Sequence, residues 1–248
     1  MKFTTLEIDE ADFDKIEENE KIFYVFTGHL CNEITILEKL LFLSTTFSNT
    51  DKNLDLDAVN ASQSLLISRL TAGKLWEGWE LLKSFFNIDS KKPKYPISID
   101  ADLSAEGKAA FDELKTYFNR GGLFDVLRNQ FAFHYMAGNL KKQFPDIKDI
   151  DKLRILVTEK DEPFSIFAEE IMLKTILNKI DKTDPEKAFE KLIEDTMRVT
   201  HAFRFFCAEC SIVMIQKYKL NSLKTETELT SLEYNKKLKA PFLFSHYK

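Results

Sequence analysis

The sequence predicts an all-α protein, a helical bundle of five or six main helices. Three observations lead there. Gly and Pro are scarce, at 7 and 6 in 248 residues, which disfavours a turn-rich all-β fold. Apolar residues recur at the 3.6-residue spacing of amphipathic helices over long stretches. Those stretches are separated by cap and breaker residues rather than by hairpin turns.

From Glu10 to Thr46, the residues Ile16, Phe23, Phe26, Leu30, Ile34, Leu37 and Leu41 fall at helical spacing, so this segment reads as one long helix, bent near Gly28. Ser48 to Asn53 is polar and reads as a loop. Asp55 or Asp57 can cap a second helix that runs to Asn87. The prolines of Lys91-Lys92-Pro93-Lys94-Tyr95-Pro96 disfavour helix and predict an extended loop. Ser104 is the expected N-cap of a third helix that stops at Gly121-Gly122. A fourth helix follows at once and is broken by Pro145.

Arg154–Thr158 and Phe164–Phe167 flank a polar turn, which predicts either a small β-hairpin near 154–167 or a second arm that opens a helix to Ile180. Asp184-Pro185 is a cap followed by proline in the first turn, and it predicts a long last helix to Leu220. Residues 1–220 thus form one domain. A tail from 221 to 248 is polar and then aromatic, with Phe242, Phe244 and Tyr247 able to dock on a surface. With 22 Phe, the core is expected to be strongly aromatic.

Hydrophobic content of 44% with 30% charged residues fits a globular chain rather than a disordered one. The net charge of −5 supplies no overall basic field for nucleic acid, so any RNA contact has to be local. The N-terminal residues carry no basic region followed by an apolar run, and no uncharged apolar stretch is long enough to span a bilayer. No membrane association is expected. Three cysteines, Cys31, Cys207 and Cys210, form no disulfide framework, and a reducing cytoplasm fits them. No phosphate-binding loop, dinucleotide glycine pattern, serine-nucleophile elbow or metalloprotease helix is present, and no cofactor is expected.

The most informative segment is Arg128-Asn129-Gln130-Phe131-Ala132-Phe133-His134. It sets a cation, an amide and an imidazole within the otherwise apolar stretch from Leu123 to Met136. A buried charge is costly unless paired or used, and imidazole titrates near neutral pH. A guanidinium that holds a phosphate beside an imidazole that exchanges a proton with a hydroxyl accounts for this set. A purely structural use is the alternative: Arg128 pairs with a carboxylate such as Glu77, and His134 is a satisfied core imidazole.

Arg followed by a polar residue, mostly apolar residues and His, late in a helical bundle, resembles the HEPN family (higher eukaryotes and prokaryotes, nucleotide-binding). The wording from Leu127 to Tyr135 is similar to the abortive-infection branch of that family, as is Ser68-Arg69-Leu70-Thr71-Ala72-Gly73-Lys74-Leu75-Trp76-Glu77. The resemblance implies a metal-independent endoribonuclease with a toxin or antiphage-defence role, active as a homodimer whose two motifs line one cleft, and held by an antitoxin protein. It also implies that Arg128 and His134 are catalytic. A ribose 2′-OH attacks the adjacent phosphate, Arg128 neutralises the developing charge, and His134 serves as base or acid. Asn129 orients the phosphate or Arg128.

Residues six apart on an ideal helix stand roughly 120° apart around the axis and about 9 Å along it. Either a bent Arg128 side chain or a second copy of the motif closes that gap, while Tyr135 lies nearly above Arg128. Some members carry a Tyr two residues after the His that a partner nucleotidyltransferase modifies. Here Met136 holds that position, so the resemblance does not extend to that pairing. A non-catalytic HEPN-like scaffold that binds nucleotides or protein is the rival expectation.

Arg69, Gly73, Glu77 and Glu80 fall within about 80° on the second helix. This is either a face on which Glu77, with Arg69, supports Arg128, or a solvated charged face with a packing glycine. The basic residues Lys141, Lys142, Lys148, Lys152 and Arg154 are interleaved with Asp146, Asp149 and Asp151, and read as solvated surface with some capacity for an RNA backbone. Cys207-Ala208-Glu209-Cys210 lies in an apolar helix and reads as core, since two of the four ligands of a structural zinc site are missing. His29 and His201 read as packed or surface-polar residues.

Overall fold

A computed structural model describes residues 2–46, 54–88, 92–119, 123–128, 154–157, 163–220 and 222–228. Seven helices account for most of them: α1 (Glu10–Phe13), α2 (Glu18–Thr46), α3 (Leu54–Lys83), α4 (Ala105–Asn119), α5 (Leu123–Leu127), α6 (Ile166–Ile180) and α7 (Pro185–Lys217). The all-α bundle predicted from sequence is therefore observed. Helix α2 packs along α3 and α7, α4 lies on α7, and α3 also meets α5, α6 and α7.

The start signals act as expected where a side chain is free to cap. Ser104 Oγ accepts the Gly107 amide at 3.0 Å, and Asp184 Oδ1 accepts the Lys187 amide at 3.1 Å, ahead of Pro185 in the first turn of α7. Ser165 caps α6 in the same way. Two boundaries differ from expectation. The segment from Glu10 is interrupted, because α1 ends at Phe13 and α2 starts at Glu18, and α2 then runs unbroken through Gly28. Helix α3 already begins at Leu54, which puts Asp55 and Asp57 in its first turn rather than at its cap. The alternatives for residues 154–167 both hold. The short strand Leu156–Val157 pairs antiparallel with Pro163–Phe164, and α6 follows directly.

Residues Ser222–Glu228 form a strand paired antiparallel with Lys2–Ile8 along its whole length, from Lys2 opposite Glu228 to Ile8 opposite Ser222. A ladder whose partners sit at opposite ends of the sequence leaves no local signature in either run. The region 229–248, with the three aromatic residues singled out above, lies outside the described residues.

The core is aromatic, as the Phe count predicts. Trp79 stacks on Phe118 with ring centroids 5.1 Å apart, Phe111 stacks on Phe206 at 4.6 Å, and Phe23 meets Phe85 and Phe86 edge-on. Along α2 the buried line runs through Phe23, Thr27, Leu30, Ile34 and Leu41, whereas Phe26 is exposed. Thr27 takes the inward place because its hydroxyl donates to the Phe23 carbonyl at 2.6 Å, which leaves only its methyl to pack. Thr71, Thr175 and Thr196 are buried by the same device. Cross-helix ion pairs at the rim join Lys74 to Glu33 and Arg198 to Glu113, and Glu20, nearly sealed from solvent, accepts both Lys217 Nζ and the Tyr218 hydroxyl at 2.7 Å.

Two glycines of the bundle lead to opposite expectations. A Cβ on Gly78 would stand 2.5 Å from Leu30 Cδ2 and 2.6 Å from Phe203 Cζ, both buried, so this is where α2 and α7 close on α3. Among the described residues, a Cβ on Gly28 meets nothing within 4 Å. Gly28→Ala should raise stability by up to about 1 kcal/mol through helix propensity. Gly78→Ala should lower it by about 1–3 kcal/mol, because overpacking outweighs the same propensity gain. Urea unfolding of both variants checks the signs, and a stabilised Gly78→Ala would refute the reading of Gly78 as a packing glycine.

Burial also sets an alkaline limit. Burial, reinforced by the charge of Asp195, holds the Tyr117 hydroxyl well above the tyrosine range, and burial likewise raises the Cys210 thiol. Each group is neutral in the fold and ionises more readily in the unfolded chain. Their stabilising contribution is therefore complete below the unfolded values, 9.0 for Cys and 10.0 for Tyr, and is lost as pH rises past them. The urea midpoint should be lower at alkaline pH, about 10.5, than at pH 8, and less so in Tyr117→Phe; equal midpoints would count against the assignment.

Candidate functional site

Helix α5 is short, and two of its side chains anchor it. Phe124 and Leu127 are fully buried, with Phe124 edge-on to Tyr117 at 5.0 Å and beside Phe118 at 6.3 Å. Arg128 is the next residue after Leu127. With Leu127 turned inward, one step of about 100° swings Arg128 to the rim of the bundle. There its guanidinium lies over the Trp76 ring, 5.6 Å from the centroid, and Nη2 donates to Glu77 Oε1 at 3.1 Å. Trp76 is itself fixed edge-on against Phe118. Helix α3 thus supplies the indole face and the carboxylate, and α5 supplies the cation.

The expectation of a buried cation is corrected by these contacts. The Arg128 side chain is 36% exposed and that of Glu77 58%. At this exposure the ion pair is worth about 0–1 kcal/mol, and the indole face adds a contribution of about the same size. Weak pairing of this kind orients a guanidinium without committing it: its planar donors can turn to an incoming phosphate, which then competes with Glu77 for the same cation.

The expected pairing of Arg128 with Glu77 is therefore present. Arg69 lies two turns earlier on α3 and is buried, as is Gly73, whereas Glu77 and Glu80 are exposed. The predicted face passes from core to solvent along its length and is not a uniformly solvated strip. Glu80 pairs with Lys83 at 2.9 Å. Asn129, His134 and Tyr135 lie outside the described residues, as do Lys141, Lys142, Lys148 and Lys152. Arg154 binds Glu170 at 2.6 Å. The role of Trp76 was not visible in the sequence, since neighbours i and i+1 on a helix point in different directions and only the path of α5 brings Arg128 across both.

Elsewhere, Cys207 and Cys210 are buried in α7, in agreement with the core reading. His29 is exposed, 3.8 Å from Glu33, and His201 is exposed, with its ring stacked near Phe205 at 6.4 Å. Among the described residues no cluster of His, Cys, Asp and Glu is placed to hold a metal ion, and no helix is long and apolar enough to cross a membrane. Cavities open on the bundle surface among the described residues. One, of about 620 Å³, lies between α4 and α7 and is lined by Glu113, Tyr117, Asp195 and Arg198, the last of which pairs with Glu113 and Asp195. Another, of about 390 Å³, lies between α2 and α7.

No family model, no curated protein and no solved structure matches the chain.

Proposed function

We propose that this chain is a metal-independent endoribonuclease of the HEPN type, acting as a homodimer in a toxin or antiphage-defence role, with an antitoxin protein as a further partner. One observation supports the proposal above others: Arg128, the first residue of the Arg/His motif, stands at the solvent edge, laid on Trp76 and lightly held by Glu77. A cation needed only for packing gains nothing from a weak tether in water, whereas a phosphate-binding cation requires both access and orientation.

In this reading the ribose 2′-oxygen bonds to the adjacent phosphorus as the bond to the 5′-oxygen breaks. One imidazole takes the 2′-OH proton and a second protonates the leaving oxygen. A homodimer supplies His134 twice, so base and acid are different copies. Arg128 faces the phosphorane as its charge grows, Asn129 steadies that contact, and Glu77 positions Arg128 without touching the substrate.

The test is purified protein incubated with total RNA, with and without EDTA. Fragments ending in 2′,3′-cyclic phosphate, formed equally in both, are expected. Folded protein that binds nucleotides but never cuts RNA would instead establish the scaffold reading, and cleavage that needs a divalent cation would remove the mechanism.

A further inference from the structure

The 390 Å³ cavity between α2 and α7 is lined by Thr27, Gly28, Cys31, Arg204, His201 and Cys207, among others. Its mouth is open among the described residues, because Gly28 and His201 are exposed and none of those residues comes within 4 Å of where a Gly28 side chain would begin. Cys31 is half-buried at its wall, and Cys207 is buried behind it. Both thiols line this one cavity, Cys31 from α2 and Cys207 from α7, two helices that pack on each other. Arg204 brings its charge to the same wall, where it is paired with Glu38.

We propose that Cys31 is a hydroperoxide-oxidised thiol and that Cys207 is the thiol that resolves it, closing a disulfide between α2 and α7. This site is independent of the Arg128 rim and of any ribonuclease activity. Access, nucleophile and resolving partner are all in place. The cavity admits a small peroxide to half-buried Cys31, whereas Cys207 also lines it but is itself buried, and Cys210 is buried and not among its lining residues. The hydrogen bond from Cys207 and, to a smaller degree, the positive charge of Arg204 pull the Cys31 thiol below its ordinary value against the opposing effect of burial, and the thiolate is the reactive form.

The Cys31 thiolate attacks one peroxide oxygen, the O–O bond breaks, and the leaving oxygen departs as water after protonation, which leaves a sulfenic acid. The Cys207 sulfur then attacks the Cys31 sulfur, the S–O bond breaks, and the thiol proton leaves with that oxygen as a second water. Two thiols and one hydroperoxide thus give one disulfide and two oxygen-bearing products.

The test begins with the unaltered full chain. It is exposed to micromolar hydrogen peroxide, quenched by alkylation, digested without reductant and mapped by mass spectrometry. A peptide pair linked through Cys31 and Cys207, 2 Da lighter than the sum of its reduced parts and released by dithiothreitol, is expected. In Cys207→Ser the Cys31 sulfenic acid should persist and be trapped by dimedone, and in Cys31→Ser both products should vanish. Three results would overturn the proposal: a Cys207–Cys210 bridge, a Cys31 bridge between two chains, or Cys31 recovered as a free thiol from peroxide-treated protein whose circular dichroism shows it folded. Because the unaltered chain supplies the first measurement, a variant that fails to fold does not blunt the test.

Discussion

Trp79→Ala is expected to lower the unfolding free energy by about 3–5 kcal/mol, the range for removal of a large aromatic side chain from a core. Trp79 has no solvent exposure, stacks on Phe118 at an interplanar angle of 12°, and faces Phe111 at 6.5 Å. It therefore joins α3 to α4 in the same layer where Phe111 meets Phe206 of α7. Domains have about 5–15 kcal/mol in all, so a loss of this size removes a large part of the total and should lower Tm by roughly 6–20 °C for a chain of this length. Trp79→Phe separates shape from volume. The indole N–H has no acceptor among the described residues, so phenylalanine forfeits no hydrogen bond and should cost well under half as much. Chemical unfolding of the two variants side by side is the measurement. Similar stability for Trp79→Ala and the unaltered chain would show that the aromatic layer is not the centre of the core.

In the ribonuclease assay, Arg128→Ala and His134→Ala should each lower cleavage by about 10²–10⁴-fold, the range for removing a transition-state charge contact or a general acid–base group. The same Arg128→Ala change should cost no more than about 1–2 kcal/mol of stability, because its contacts with Glu77 and the Trp76 ring are an exposed ion pair and an indole-face contact at the rim. A large loss of cleavage with a small loss of stability is what separates a phosphate contact from a packing residue. Arg128→Lys keeps the charge but loses the planar fork, and should recover only part of the activity. Glu77→Gln keeps the size of the side chain and removes its charge. If Glu77 positions Arg128, cleavage should fall on the order of 10-fold with an unfolding midpoint close to the original. Unchanged cleavage and stability in Glu77→Gln would end its supporting role, and normal cleavage by His134→Ala would end the mechanism. The arrangement over Trp76 would then be a pin that holds α5 to α3.

Much of the helical order was legible because its causes are local. Ser104, Asp184 and Pro185 start helices through bonds to the next turn, and the Leu30, Ile34 and Leu41 spacing turns apolar surface to one side whatever that side meets. The gap between α1 and α2 was missed because Phe13 and Ile16 keep the apolar spacing while the backbone turns, so the pattern outlasts the helix. Phe26 falls at the apolar helical spacing yet is exposed, and Thr27 takes the inward place with its hydroxyl bonded to the Phe23 carbonyl.

By itself, the sequence determined the all-helical class, the capped starts of α4 and α7, and an aromatic interior, since propensity, capping and periodicity act over a few residues. Tertiary structure alone decided that Arg128 rides on Trp76 at the surface, that Gly78 rather than Gly28 is the close-packed glycine, that Cys31 and Cys207 line one cavity, and that the first strand pairs with residues 222–228. Each of these depends on the distance between residues far apart along the chain. Such distances are set by how whole helices pack, to which every core side chain contributes and which no local window contains.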